Sequence, residues 1–156
     1  MLKCYNYDIV CQEVPDEITL AVNISCCPNR CKGCHSPWLL EDKGEPMTEE
    51  MLESVISKYE SAITCFCFMG GDSEPFEIQR LASWIKKKYP NLKTAWYSGK
   101  GELPEGFDTL CMDFIKIGPF VETLGGLKSP DTNQKMYRVM QDGEMKQIYL
   151  YPKVES

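Results

Sequence analysis

The chain reads as an α/β protein, an open or partial (βα) barrel on a mainly parallel sheet, with its functional residues at the C-terminal ends of the strands. Three observations lead to that expectation. Four apolar, β-type runs are separated by helical segments, which is the pattern of βαβ units. A closed eight-stranded barrel needs roughly 200 residues or more, whereas this chain has 156 and only four such runs. Finally, every run ends in glycine, cysteine or a small polar residue, at the edge where α/β folds bind ligands.

The elements follow in order. Residues 18–24, Ile-Thr-Leu-Ala-Val-Asn-Ile, form the first strand and lead directly into a cysteine-rich segment. Residues 3–12 are expected to pair with that strand. Pro, Gly and charged residues make 37–46 a loop. Thr48 then has the character of an N-cap, with Glu49 and Glu50 in the first turn and Met51, Leu52, Val55, Ile56 and Tyr59 at helical spacing. A second strand covers 62–68 and runs into Met69-Gly70-Gly71-Asp72. A second helix covers 75–88, with Phe76, Ile78, Leu81, Ala82 and Ile85 as its apolar positions. Its last turn, Lys86-Lys87-Lys88, suits the negative end of the helix dipole and reads as a solvated face. The third strand is 92–97, and the fourth, 114–117, stops at Gly118-Pro119. A hairpin is expected over 137–150 around Asp142-Gly143.

Composition narrows the classes. The length and the 43% hydrophobic content suit one soluble domain over 1–156 with a proper core. A net charge of −6 argues against nucleic acid or an anionic membrane as partner. No apolar run reaches membrane-spanning length and the first residues lack a signal-peptide apolar region, so the cytoplasm is the expected compartment. Nine cysteines are many for such a chain. Their odd number and clustering speak for metal ligation and reduced core thiols rather than a disulfide framework.

Cys27, Cys31 and Cys34 carry the chemistry. Three thiolates at spacings of four and three residues can converge on one metal centre, one short of the four that an ordinary iron–sulfur cluster takes. The shortfall leaves one iron open to a ligand that is not protein. Cys26, adjacent to Cys27, points elsewhere. The competing reading is a structural zinc site completed by His35 or Cys26. Zinc normally takes four protein ligands from two separated pairs, and no second pair at that spacing occurs. At the other strand ends, Gly70, Gly71 and Asp72, then Ser98 and Gly99, then Gly118, let a ligand approach the backbone closely. A plain strand-to-helix turn uses the same residue types as Gly70-Gly71-Asp72. Cys65 and Cys67 alternate with Phe66 and Phe68 on a strand expected to be buried on both faces, which makes them core thiols; Cys4, Cys11 and Cys111 are read likewise. Trp96 reads as core.

The Cys-x-x-x-Cys-x-x-Cys pattern after a first strand resembles the radical S-adenosylmethionine superfamily, and Met69-Gly70-Gly71-Asp72 resembles its glycine-rich motif ending in an acidic residue. Small size, Lys32-Gly33-Cys34, and residues 113–120 followed by Asn133-Gln134 resemble the anaerobic ribonucleotide reductase activating proteins within it. The resemblance implies an enzyme with a [4Fe–4S] cluster on Cys27, Cys31 and Cys34, whose open iron is chelated by the amino and carboxylate groups of S-adenosyl-L-methionine. It implies reductive cleavage to a 5′-deoxyadenosyl radical that takes a hydrogen from a glycine of the large glycyl radical subunit. An electron donor such as flavodoxin or ferredoxin is the second expected partner. Gly70, Gly71 and Asp72 are then expected at the methionyl amino group, Ser98 at the ribose or carboxylate, His35 along the adenine, and Asn133 and Gln134 at the cofactor or the partner's glycine loop. The alternatives are an activase of another glycyl radical enzyme and a non-catalytic zinc or iron–sulfur docking module.

Overall fold

A computed structural model describes residues 2–10, 17–24, 45–72, 74–100, 102–118 and 134–148. Strands β1 (Lys3–Val10), β2 (Thr19–Ile24), β3 (Glu45–Pro46), β4 (Cys65–Met69), β5 (Lys93–Tyr97), β6 (Phe114–Ile117), β7 (Lys135–Val139) and β8 (Met145–Ile148) form one sheet in the order β3-β1-β2-β4-β5-β6-β7-β8. The pairs β2/β4, β4/β5 and β5/β6 are parallel, and the pairs flanking them on both sides are antiparallel.

Helix α1 (Glu49–Tyr59) joins β2 to β4, and α2 (Pro75–Lys88) joins β4 to β5. Thr48 caps α1, its hydroxyl accepting from Met51 N at 3.1 Å, while Leu52 and Ile56 bury one stripe. Pro75 begins α2, where its missing N–H costs no helical bond. Ile78, Leu81, Ala82 and Ile85 are buried, but Phe76, expected among them, is 52% exposed. Two residues from Ile78, it sits about 200° round the helix on the opposite side. The lysines at the helix end also depart from a purely solvated face: Lys86 pairs with Asp113 at 2.6 Å and Lys88 with Glu53 at 3.0 Å.

Each parallel crossover steps the same way across the sheet. Right-handed connections then put their helices on one face. The packing agrees: residues of α1 and α2 share one core with Leu20, Val22, Ile24, Phe66, Phe68, Trp96 and Ile115. On the opposite face lie Cys65, Cys67, Ala95, Tyr97, Phe114 and Met136. Phe66 and Phe68 thus face the helices while Cys65 and Cys67 face away, and all four are fully buried.

Boundaries differ from expectation where tertiary contacts intervene. Ala62 and Ile63 close the turn after α1 through bonds to the Tyr59 carbonyl instead of opening β4. Glu45–Pro46, expected as loop, pairs with Lys3 and Cys4 as a two-residue edge strand. At the other end, Gly143 (φ +87°) and the Asp142 carboxylate, which accepts from Glu144 N, make the turn between β7 and β8.

Candidate functional site at the carboxyl ends of the parallel strands

The parallel register decides what meets at the sheet's upper edge. Asn23 pairs with Met69, and Met69 with Tyr97, so the chain leaves β2, β4 and β5 side by side. Gly70 and Gly71 make the turn after β4 at φ +101° and +83°, in the left-handed region that glycine enters without penalty. Gly71 is required twice over, because a Cβ there would lie 2.7 Å from Ile78 Cδ1 and 3.1 Å from Ile24 Cδ1. The turn is therefore packed directly against the end of β2.

Asp72, which follows the turn, is 2% exposed. Its Oδ1 accepts from the Ser98 hydroxyl, and its Oδ2 accepts from Gly99 N at 2.9 Å. The Ser98 oxygen also accepts from Lys100 N at 3.2 Å. Asp72 and Ser98, expected separately at the cofactor, are thus bonded to each other and tie the β4 turn to the end of β5. A second tie is the Trp96 indole N–H, which donates to the Gly70 carbonyl at 2.8 Å. The main chain adds a third, Gly70 N to the Tyr97 carbonyl at 3.0 Å. Trp96 is 1% exposed and packs on Phe107 with ring centroids 5.0 Å apart. It is the core residue its sequence context suggests, with a polar role that no sequence signal announces.

Beyond β5, Ser98 N donates to the Lys116 carbonyl at 2.8 Å and Gly118 N to the Lys100 carbonyl at 2.7 Å. Gln134 donates its side-chain amide to the Gly118 carbonyl at 3.3 Å, which brings the start of β7 to the same edge. Lys116 lies over the Tyr97 ring, 5.4 Å from its centroid. A cavity of about 100 Å³ opens beside Asp72, Trp96, Ser98, Lys100 and Glu102. Ligand pockets for drug-sized molecules run to about 300–1,000 Å³, so the recess formed by the described residues is smaller than such a pocket.

The structure also sorts the donors. Among the described residues no three His, Cys, Asp or Glu side chains gather around a point where a metal ion could sit. Cys4, Cys65, Cys67 and Cys111 are buried. Burial, reinforced by the charge of Glu17, pushes the Cys65 thiol up to about 12. Burial together with Asp108 does the same to Cys111, also to about 12. Both stay protonated near neutral pH. The burial of Cys4, Cys65, Cys67 and Cys111 is that of core thiols. Of the expected site residues, Cys27, Cys31, Cys34, His35 and Asn133 lie outside the described residues, as do Cys11 and Cys26. Soft thiolate donors are those an iron–sulfur cluster takes.

Residues 17–105, more than half of the chain, match the family model described as "4Fe-4S single cluster domain". The match runs from the buried Glu17 before β2, through the cysteine segment and the Gly70-Gly71-Asp72 turn, past Ser98. No curated protein and no solved structure matches the chain. Among the described residues, no helix is long and apolar enough to cross a membrane.

Proposed function

We propose that this chain, which belongs to the 4Fe–4S single cluster domain family, is a radical S-adenosylmethionine activase that places a radical on a glycine of a partner protein. The observation that carries the reading is the adjacency of two strand ends. β2 and β4 are parallel neighbours, and the Gly70-Gly71 turn packs on Ile24. In the sequence Cys27 follows Ile24 by only three residues, so the strand that leads into the cysteine segment is the one whose end adjoins that turn.

Cys27, Cys31 and Cys34 are the proposed ligands of the [4Fe–4S] cluster. When bound, the cluster supplies one electron, with which the sulfonium of S-adenosyl-L-methionine separates into methionine and a 5′-deoxyadenosyl radical. The hydrogen that completes 5′-deoxyadenosine would come from the glycine Cα of the partner. The protein's share is position and shielding. The Gly70-Gly71 turn offers its backbone to the methionyl ammonium, since with no Cβ in the way the cofactor can approach closely. Asp72 supports the turn from beneath and adds negative charge close to the ammonium. Gln134 stands with Gly118 on the far side of the same edge.

The fold belongs to this reading. We take the sheet as an open segment of a (βα) barrel, a view supported by the one-directional strand order and by both helices lying on one face. The large glycyl radical subunit of an anaerobic ribonucleotide reductase, and an electron donor such as flavodoxin or ferredoxin, are the proposed partners, and the cytoplasm the proposed compartment.

The test is anaerobic. Cluster-loaded protein, reduced with dithionite and given S-adenosylmethionine, should release methionine and 5′-deoxyadenosine. Cys27→Ala, Cys31→Ala and Cys34→Ala should each lose bound iron and cleavage, and Cys26→Ala should keep both. Loaded, reduced protein that leaves S-adenosylmethionine intact overturns the reading and leaves an iron–sulfur docking module.

A further inference from the structure

We infer that Asn6 and Asn23 form a docking site for the main chain of the partner's glycine segment. The inference rests on the proposed activase reading and names a surface that holds the partner.

Strand β1 changes face where it meets the end of β2. Cys4 pairs with Ile24, and both lie in the helix-side core. In an unbroken strand, side chains two residues apart share a face, so Asn6 would follow Cys4 toward the helices. It does not. Between Cys4 and Asn6, β1 carries one residue more than β2, and this bulge pairs Asn6 with Asn23. Bulges re-aim side chains and are over-represented next to active sites. Asn23 lies between Val22 and Ile24, both on the helix side, so it belongs to the opposite face. There its amide donates to Asn6 Oδ1 at 2.6 Å. Asn23 is also the register partner of Met69, the residue before the Gly70-Gly71 turn. The amide pair thus stands at the edge where the chemistry is proposed.

One donor and one acceptor are left over. Among the described residues nothing else bonds to Asn6 Nδ2 or Asn23 Oδ1, and Asn6 is exposed. Among the same residues β3 covers β1 only at Lys3 and Cys4, which leaves the strand open beside Asn6. A neutral donor beside a neutral acceptor is the complement of one residue of extended main chain. Glycine has no side chain by which to be held, so a segment that delivers one is gripped through its peptide groups or its neighbours. The pair supplies the first kind of grip. Adenine also presents a donor beside an acceptor, which makes cofactor binding an outcome of the test.

The test separates docking from a merely structural pair. Asn6→Asp keeps the acceptor for Asn23 but turns the free donor into an acceptor; Asn6→Ser shortens the side chain out of reach. The probe is the large subunit of an anaerobic ribonucleotide reductase, in about 0.3 M salt to screen the added charge. Glycyl radical formation is followed by electron paramagnetic resonance. In both cluster-loaded variants, KM for the subunit should rise about fivefold, as for one lost hydrogen bond, while kcat changes much less. Cleavage of S-adenosylmethionine without the subunit should match wild type. An unchanged KM for the subunit in Asn6→Asp overturns the inference, because a structural pair survives that substitution. A raised KM for S-adenosylmethionine without the subunit also overturns it and gives the pair to the cofactor. Should Asn6→Asp fail to load iron, Asn6→Ser decides by the same two KM values. Wild-type protein that leaves S-adenosylmethionine intact removes the proposed function and this inference with it. Wild-type activation with unaltered variants removes this inference alone.

Discussion

Replacing Gly71 with alanine tests the joint between β2 and β4. At φ +83° an L-residue incurs left-handed strain of about 1–2 kcal/mol. The added methyl would also stand 2.7 Å from Ile78 Cδ1 and 3.1 Å from Ile24 Cδ1. Both isoleucines are 0% exposed, so neither has open space to retreat into. Overpacking of this kind costs about 1–3 kcal/mol, which with the strain makes about 2–5 kcal/mol. Gly106 supplies the control, since its φ is +81° but a Cβ there meets nothing within 4 Å. Gly106→Ala should therefore show the strain alone, about 1–2 kcal/mol. The assay is anaerobic urea unfolding of the two variants beside the wild type, with the m-value checked for constancy. If Gly71→Ala costs no more than Gly106→Ala, the contact between the turn and the end of β2 is not as described. The adjacency that supports the proposed function would then fail with it.

Three further outcomes are expected. Asp72→Ala strips the acceptor from the Ser98 hydroxyl and Gly99 N at a buried site, which should cost about 2–4 kcal/mol of unfolding free energy; Asp72→Asn, keeping one acceptor, should recover some of it in the same urea assay. Stability should fall on the alkaline side: Cys65 and Cys111 have folded-state values near 12 against an ordinary 9.0. The unfolded chain therefore gives up these protons first, so their stabilisation is complete below about pH 9 and declines from there toward pH 12, by up to about 1.4 kcal/mol per pH unit for each thiol. Melting curves from pH 8 to 11 check this, and Cys65→Ala should flatten the decline. Thr48→Ala should lower stability by about 1 kcal/mol through loss of the α1 cap, with bound iron unchanged.

What the sequence discloses and what it withholds divide along physical lines. Thr48 before two glutamates, Asp142-Gly143 between polar runs, and the alternation of Cys65 to Phe68 are local signals, and local structure follows them. Long-range pairing leaves no such mark. Nothing near residue 96 says that an indole will find a carbonyl 26 positions earlier; the β4/β5 register brings them together. The same holds for Asp72 with Ser98, and for Glu17, whose carboxylate accepts from Thr64 at 2.5 Å and from Lys93 at the other end of the sheet. Phe76 shows the opposite failure, a hydrophobic residue counted into the core by type when the helical angle turns it outward. The cysteine triplet is legible as chemistry from spacing alone, whereas its neighbours at the strand ends are legible only as loops until the register is known.

The strand order β3-β1-β2-β4-β5-β6-β7-β8 has a consequence for synthesis. As the chain emerges from its N-terminus, β1 and β2 form the first pair, and β3 adds to the free edge of β1. Every later strand then finds its partner at the opposite, still-open edge. No strand has to insert between neighbours that have already joined. The sheet can grow by accretion in the order of translation, and β2 is already paired with β1 when β4 arrives to set the glycine turn against Ile24.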